Sequence, residues 1–294
     1  MINKKMLAIF TLGLLWGPSF LFTKVAVQEI PPWTFVSLRV LVATLILVCV
    51  LQIKKTKIAH NRQLWLDCLV LGFLNNGLPL ICFGYALLHT PSSLAALTNG
   101  LTPITTVLLA HFFIREEHLT WRSSVGVLLS FSGFLVLFLP SILDLSVELD
   151  SVGMILSFIA ACSYGVAMVY AKKAPAVGKA PPLVVPTLQF ASSLIYLIPL
   201  AFLFEPTSAV FDASLSAWGC VLGIAIFGTA LAYTLYYHIV AQYGATALSS
   251  VCYFLPIFGA LFGLIFLKEH IGLSFCIATI LILSGVMLVN KKTA

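Results

Sequence analysis

The sequence predicts an all-α, polytopic membrane protein of ten transmembrane helices, arranged as two inverted five-helix repeats. Three observations carry that expectation. Hydrophobic residues fill 61% of the 294 positions and charged residues only 9%, with a mean hydropathy of +1.08, a balance that a water-soluble domain of this length does not keep. The apolar runs are close to the ~20 residues that cross a bilayer as a helix, not the ~10 alternating residues of a barrel strand. Rare residues also recur at an offset of about 150 positions.

Cutting at charge clusters and Pro/Gly breaks gives spans near 6–27, 33–52, 64–88, 92–113, 121–140, 152–171, 184–204, 215–239, 245–267 and 271–290. In hydrocarbon each backbone amide must be bonded within its own segment, so these are helices. The first run follows Lys4 and Lys5 as a signal peptide would. It lacks a small-residue cleavage pattern and is long enough to span, so it reads as the first helix.

With sides alternating from Lys4, thirteen of the sixteen Lys and Arg fall on one side, and only Lys268 falls in a loop on the other. Positive residues stay cytoplasmic during insertion, which predicts a cytoplasmic (inner) membrane protein with both termini in the cytoplasm. The net charge of +6 is thus a matter of sidedness and points to no nucleic-acid partner. The expected partners are the lipid bilayer and a small-molecule substrate, with the chain a monomer or homodimer. The seven cysteines lie in or beside apolar runs with no CxxC and no His partner, so no metal, disulfide framework or cofactor is expected.

The repeat shows in particular residues. Pro31-Pro32 precedes span 2 as Pro181-Pro182 precedes span 7. Pro103 stands thirteen residues before Glu116, and Pro256 thirteen before Glu269; Ser132-Gly133 answers Ser284-Gly285. Five helices taken twice enter the membrane from opposite faces, so the halves, 1–145 and 146–294, are inverted. Two near-equivalent halves can exchange conformations around a central site, the arrangement that suits alternating access.

With Leu15-Trp16-Gly17 and Lys24 in span 1, Pro31-Pro32 leading to Arg39 in span 2, and the two Pro-to-Glu elements, the chain resembles the EamA-type ten-helix branch of the drug/metabolite transporter superfamily. The resemblance covers nearly the whole chain. It implies export or exchange of small metabolites such as amino acids, and does not name one.

Arg39 lies about 9 Å into span 2 at 1.5 Å per residue. It either snorkels to the interface or holds a carboxylate or phosphate with its planar fork. Its repeat counterpart is Gln189, so a charge site would be on one half only. Trp16, Asn76, Tyr85, Asn99, Tyr164, Tyr237 and Tyr253, with Asn75, Tyr233 and Tyr236 among their neighbours, are the expected cavity lining, because polar groups at depth must face protein or water. Lys24 reads as a snorkelling helix-end lysine. Glu116 and Glu269, on opposite faces, read as helix-terminal charges with a gating role, and Pro103 and Pro256 as hinges. Three GxxxG pairs, Gly13/Gly17, Gly219/Gly223 and Gly259/Gly263, are expected to be close-packing sites. No acidic residue is expected at mid-depth, which leaves His238 as the titratable group within a span.

The expected function is a secondary transporter moving a small metabolite, an amino acid or related compound, by alternating access. The alternative is a membrane-embedded enzyme acting on a lipid-linked substrate. That would need clustered carboxylates or histidines at one surface, and neither HExxH, paired aspartates nor a nucleophile beside a base is present, so no catalytic residue is assigned.

Overall fold

The computed structural model describes residues 4–58, 61–114, 118–139, 151–243 and 250–290, and every regular element among them is helical. The long helices are α1 (Lys4–Ala26), α2 (Pro32–Ile53), α3 (Arg62–His89), α4 (Ser92–Phe113), α5 (Trp121–Val136), α6 (Ser151–Lys173), α7 (Val184–Phe204), α8 (Leu215–Ile239), α9 (Phe254–Leu267) and α10 (Leu273–Asn290). Among the described residues seven are long and apolar enough to cross a bilayer, and α5, α9 and α10 are shorter apolar helices. They fall on the ten spans expected from hydropathy. Glu116 and the expected boundary at 145 lie outside the described residues.

Helix starts follow local chemistry. Pro32 opens α2, where its missing N–H costs nothing. Side chains of Asn61, Thr120 and Ser214 accept from the first-turn amides of α3, α5 and α8.

The inverted repeat is visible in the packing. α1 packs on α8 and α9 as α6 packs on α3 and α4, while α2 pairs with α7, α4 with α9 and α5 with α10. Each relation maps onto another, or onto itself, when the halves are exchanged. The chain ends also gather as antiparallel helices require. Lys24 near the end of α1 meets Thr90 beyond α3, Glu205 beyond α7 meets the start of α2, and Glu269 beyond α9 meets the start of α4. This face lies opposite the one carrying the start of α1 and the end of α10.

The third helix of each repeat is interrupted at the same relative place by π-helix, Phe73–Gly77 in α3 and Ile224–Leu231 in α8. Such bulges free backbone groups and rotate the residues that follow. They carry Asn75 and Thr229, which meet Gln189 and Arg39 at the central site described below.

Without a hydrophobic drive between helices in lipid, close approach depends on small residues. A Cβ on Gly13 would sit 2.7 Å from that of Phe254, and one on Gly17 or Gly259 would collide with Phe258 or Ala96 respectively. These glycines seat α9 against α1 and α4. Gly219 meets nothing within 4 Å, so the Gly219/Gly223 pair does not serve close packing there. Gly259→Leu is therefore expected to destabilise by about 1–3 kcal/mol, with a lower melting temperature in detergent. Gly219→Leu should leave that temperature unchanged, and equal losses from the two variants would contradict this reading.

Candidate functional site

A cavity of about 110 Å³ opens at the centre of the bundle, between the repeats. Trp16, Ser19, Phe20 and Thr23 form one wall. Their spacing of three, four and seven residues puts them on a single face of α1. Tyr233 and Tyr236 of α8 face them, with ring centroids 6.0 and 5.9 Å from Trp16. Phe83 of α3 lies 5.2 Å from Phe20 and 6.3 Å from Tyr164 of α6, extending the aromatic lining. Asn75, Asn99, Thr102, Met168, Leu80 and Leu255 complete the wall. The volume suits a small solute in place of several waters.

Arg39 is the cavity's one formal charge among the described wall residues. Its side chain turns into the bundle, 7% exposed, and does not rise to the interface as a snorkelling arginine would. Nε donates to the Thr229 hydroxyl at 2.9 Å, and that hydroxyl donates to the Ile224 carbonyl five residues back, inside the π segment of α8. The nearby ionisable groups are the hydroxyls of Tyr164 and Tyr233. The repeat counterpart behaves alike: Gln189 on α7 accepts from Asn75 in the π segment of α3 at 3.3 Å, and its Nε2 donates to Tyr237 at 3.0 Å. Each half thus sends one polar side chain from its second helix to the interrupted third helix of the other half.

Of the residues expected to line the cavity, Trp16, Arg39, Asn75, Asn99, Tyr164, Tyr233 and Tyr236 do so. Asn76 does not, and is fully buried with both amide atoms lacking a hydrogen-bond partner. Tyr237 stands behind the wall on Gln189, and Tyr253 donates to the Val286 carbonyl of α10 at 3.3 Å. Tyr85 donates to Glu205 at the far end of the bundle. His238 is exposed on the outside of α8. Conversely, Asp67 within α3 is a buried carboxylate, 2% exposed, in a helix where no acidic group was expected at depth. Helical spacing on α1 was the available signal for Ser19, Phe20 and Thr23.

Pro103 and Pro256 each sit in the first turn of an α segment that follows a break. Thr102–Phe113 resumes α4 after Gly100, and α9 begins after the 3-10 turn Ser250–Tyr253. The first break sets Asn99 at the cavity, where its Oδ1 accepts from Thr102 at 3.2 Å.

At the face opposite the start of α1, three carboxylates each satisfy helix N-termini of the other repeat. Glu205 accepts from the amides of Trp33 and Thr34 at 3.0 and 2.9 Å, from the Thr34 hydroxyl at 3.1 Å and from Tyr85 at 3.1 Å. Glu269 accepts from the amides of Ser92 and Ser93 at 2.6 and 3.0 Å, beside Lys24, which donates to the Thr90 carbonyl at 3.2 Å. Glu29 accepts from the Ser214 amide and hydroxyl at 2.6 and 2.7 Å. First-turn amides have no intrahelical acceptor and sit at the positive end of the helix dipole, so a carboxylate there is doubly favoured. Lys268 makes the Glu269 contact possible by adopting a left-handed conformation, φ 52°, that folds the chain back on α9. Gly263 leaves room for it, since a Cβ there would lie 2.5 Å from the carboxylate.

The Ser214 amide, and then its hydroxyl, hold Glu29 below the ordinary carboxylate value of 4.5. A depressed value means that this cap is complete above pH 4.5 and is lost as the pH falls through the lowered value. Ser214→Ala is expected to raise the Glu29 titration midpoint, read by NMR of labelled glutamate. An unchanged midpoint would show that the Ser214 hydroxyl adds nothing to the hold of its amide.

Comparison with known proteins agrees with this architecture. The family model of the EamA-like transporter family matches residues 3–139 and again 151–291. The chain is 21% identical over 298 residues to an uncharacterized transporter, YoaV, of Bacillus subtilis (strain 168), covering 97% of this chain and 96% of that one. It is 24% identical over 262 residues to an uncharacterized inner membrane transporter, YedA, of Escherichia coli (strain K12), covering 87% and 80%. A solved crystal structure superposes with a TM-score of 0.68 over 97% of this chain and 96% of that one at 19% identity, a likeness of fold. A family model matching both halves, on a bundle whose packing repeats with them, makes this multi-pass membrane protein a member of the EamA-like transporter family.

Proposed function

We propose that the protein is a secondary transporter of the cytoplasmic membrane that moves a small carboxylate-bearing metabolite, an amino acid or related compound, by alternating access. The observation that carries this is Arg39, a buried guanidinium at an aromatic cavity whose described wall holds no carboxylate to neutralise it. An arginine so placed is matched by an anionic group arriving with the solute. Trp16, Tyr164, Tyr233 and Tyr236 would hold the organic body, and Asn75 and Asn99 its remaining polar atoms.

The two halves, 1–145 and 146–294, would rock about this site with both termini in the cytoplasm. Glu205, Glu269 with Lys24, and Glu29 would close the outer face in the present state, with Glu116 as the sequence counterpart of Glu269 at the inner face. Pro103 and Pro256 would let α4 and α9 flex. Membership of a transporter family favours this reading over the membrane-embedded enzyme.

The test is counterflow. Liposomes preloaded with unlabelled alanine, phenylalanine, glutamate or a nucleotide should transiently accumulate the labelled compound when it is the substrate. Absence of saturable counterflow across such a panel, or chemical conversion of the solute, would overturn the proposal.

A further inference from the structure

Three rings of the cavity wall form a corner beside Arg39. The centroids of Trp16 and Tyr233 lie 6.0 Å apart, those of Trp16 and Tyr236 5.9 Å, and those of Tyr233 and Tyr236 5.9 Å. The interplanar angles are 72°, 50° and 31°, so no two of the rings are stacked on each other. Tyr233 and Tyr236, three residues apart, share a face of α8. Phe190 and Tyr237, which are not on the wall, pack against them at 4.9 Å each and fix their positions. The corner adjoins the guanidinium: Thr229, which accepts from Arg39 Nε at 2.9 Å, stands four residues before Tyr233 on α8, and Tyr233 is itself near Arg39.

An aromatic ring carries negative potential on its face and attracts a cation within about 6 Å of its centroid, tryptophan most strongly and more so where water is excluded. The cation–π contact among the described residues is elsewhere, Lys173 over Phe113 at 6.0 Å. A solute carboxylate on Arg39 leaves any ammonium of the same solute to be matched, and the described wall holds no Asp or Glu for it. Of the wall's two amides, Asn75 donates to Gln189 and Asn99 Oδ1 already accepts from Thr102. An ammonium taken out of water with no anion beside it requires another attraction, which ring faces supply.

We infer that Trp16, Tyr233 and Tyr236 form a cation–π subsite for the ammonium group of a zwitterionic amino acid whose carboxylate is held by Arg39, an inference that rests on the transport reading above. The rings thus do more than cover the organic body of the solute. They select amino acids over carboxylic acids of the same skeleton, a choice that Arg39 alone cannot make because both carry the group it binds.

The test uses pairs of solutes that differ in the amine alone: alanine with propionate, phenylalanine with hydrocinnamate, and glutamate with glutarate. Binding to the purified full chain and counterflow in liposomes are measured for each. In the wild type the amino acid of a pair should bind at least about fivefold more tightly than its deaminated partner. Fluorinated tryptophans incorporated at Trp16 keep the ring's shape and withdraw the negative potential of its face, which separates attraction from packing. Affinity for the amino acid should fall stepwise with each added fluorine, to at least about fivefold, while that for the deaminated partner stays within about twofold. Trp16→Leu should leave the two partners with nearly equal affinity, and Trp16→Phe should fall between it and the wild type. Equal wild-type affinity within every pair, or an amino-acid affinity that fluorination leaves unmoved or lowers equally with that of its partner, would overturn the inference while leaving Arg39 as the carboxylate site. No binding or counterflow of either member of any pair would remove the transport reading, and the inference with it.

Discussion

Arg39→Gln is expected to weaken solute binding by at least about 100-fold and to abolish transport of carboxylated solutes, with membrane insertion intact. Removing one partner of a buried, hydrogen-bonded charge pair costs about 2–5 kcal/mol, and each 1.4 kcal/mol is tenfold in affinity. Glutamine retains an N–H donor to substitute for the one that Arg39 gives Thr229. Arg39→Lys should fall between the two, because an ammonium keeps the charge and loses the planar fork. Binding to purified protein, measured by scintillation proximity alongside counterflow, distinguishes these outcomes. Wild-type affinity in Arg39→Gln would show that the guanidinium serves the fold and not the solute.

Glu205→Ala is expected to shift the protein toward the state open at the face opposite the start of α1. Glu205 receives four hydrogen bonds there, two of them from first-turn amides of α2. Hydrogen bonds to charged groups contribute about 1.5–3 kcal/mol each, and a loss of only about 3 kcal/mol in total changes a two-state population about 100-fold. Glu205→Gln keeps the shape and some acceptor capacity and should shift it less. A cysteine in place of Thr23, on the cavity wall, should react faster with a membrane-impermeant thiol reagent from that face in the Ala variant. Equal reaction rates with and without Glu205 would mean that its hydrogen bonds do not hold that face closed.

Much of this was legible in the sequence, and the reasons differ by element. Hydropathy and charge placed all ten helices. Pro31-Pro32 with Pro181-Pro182, and Ser132-Gly133 with Ser284-Gly285, revealed the repeat because such residues recur seldom by chance in apolar helices. Gln189 was recognised as the counterpart of Arg39, yet that both reach the interrupted helix of the opposite half depends on packing between repeats, which no local pattern encodes. Asn75 and Asn76 were both expected at the cavity, and the π segment Phe73–Gly77, which changes the period of α3, is what separates a lining Asn75 from a buried Asn76. Asp67 escaped notice because a position so near Arg62 reads as a solvated helix end. Burial there comes from the end of α6 around Tyr170, from α7 and from the Pro175–Lys179 helix, which lie more than a hundred residues away in the chain. Hydropathy leaves Glu205 and Glu29 beyond helix ends, and their acceptance of amides from the other repeat can be seen only in three dimensions.

For a solute to cross by alternating access, the two halves must separate at one face while closing at the other. Trp33 at the start of α2 and Phe204 at the end of α7, whose rings lie 5.8 Å apart beside the Glu205 cap, report on that separation. In a background free of the natural cysteines, Trp33→Cys with Phe204→Cys, bridged by a short thiol-reactive linker, is predicted to stop counterflow completely and to recover it on reduction. Undiminished counterflow by the fully bridged protein would contradict alternating access through this cavity.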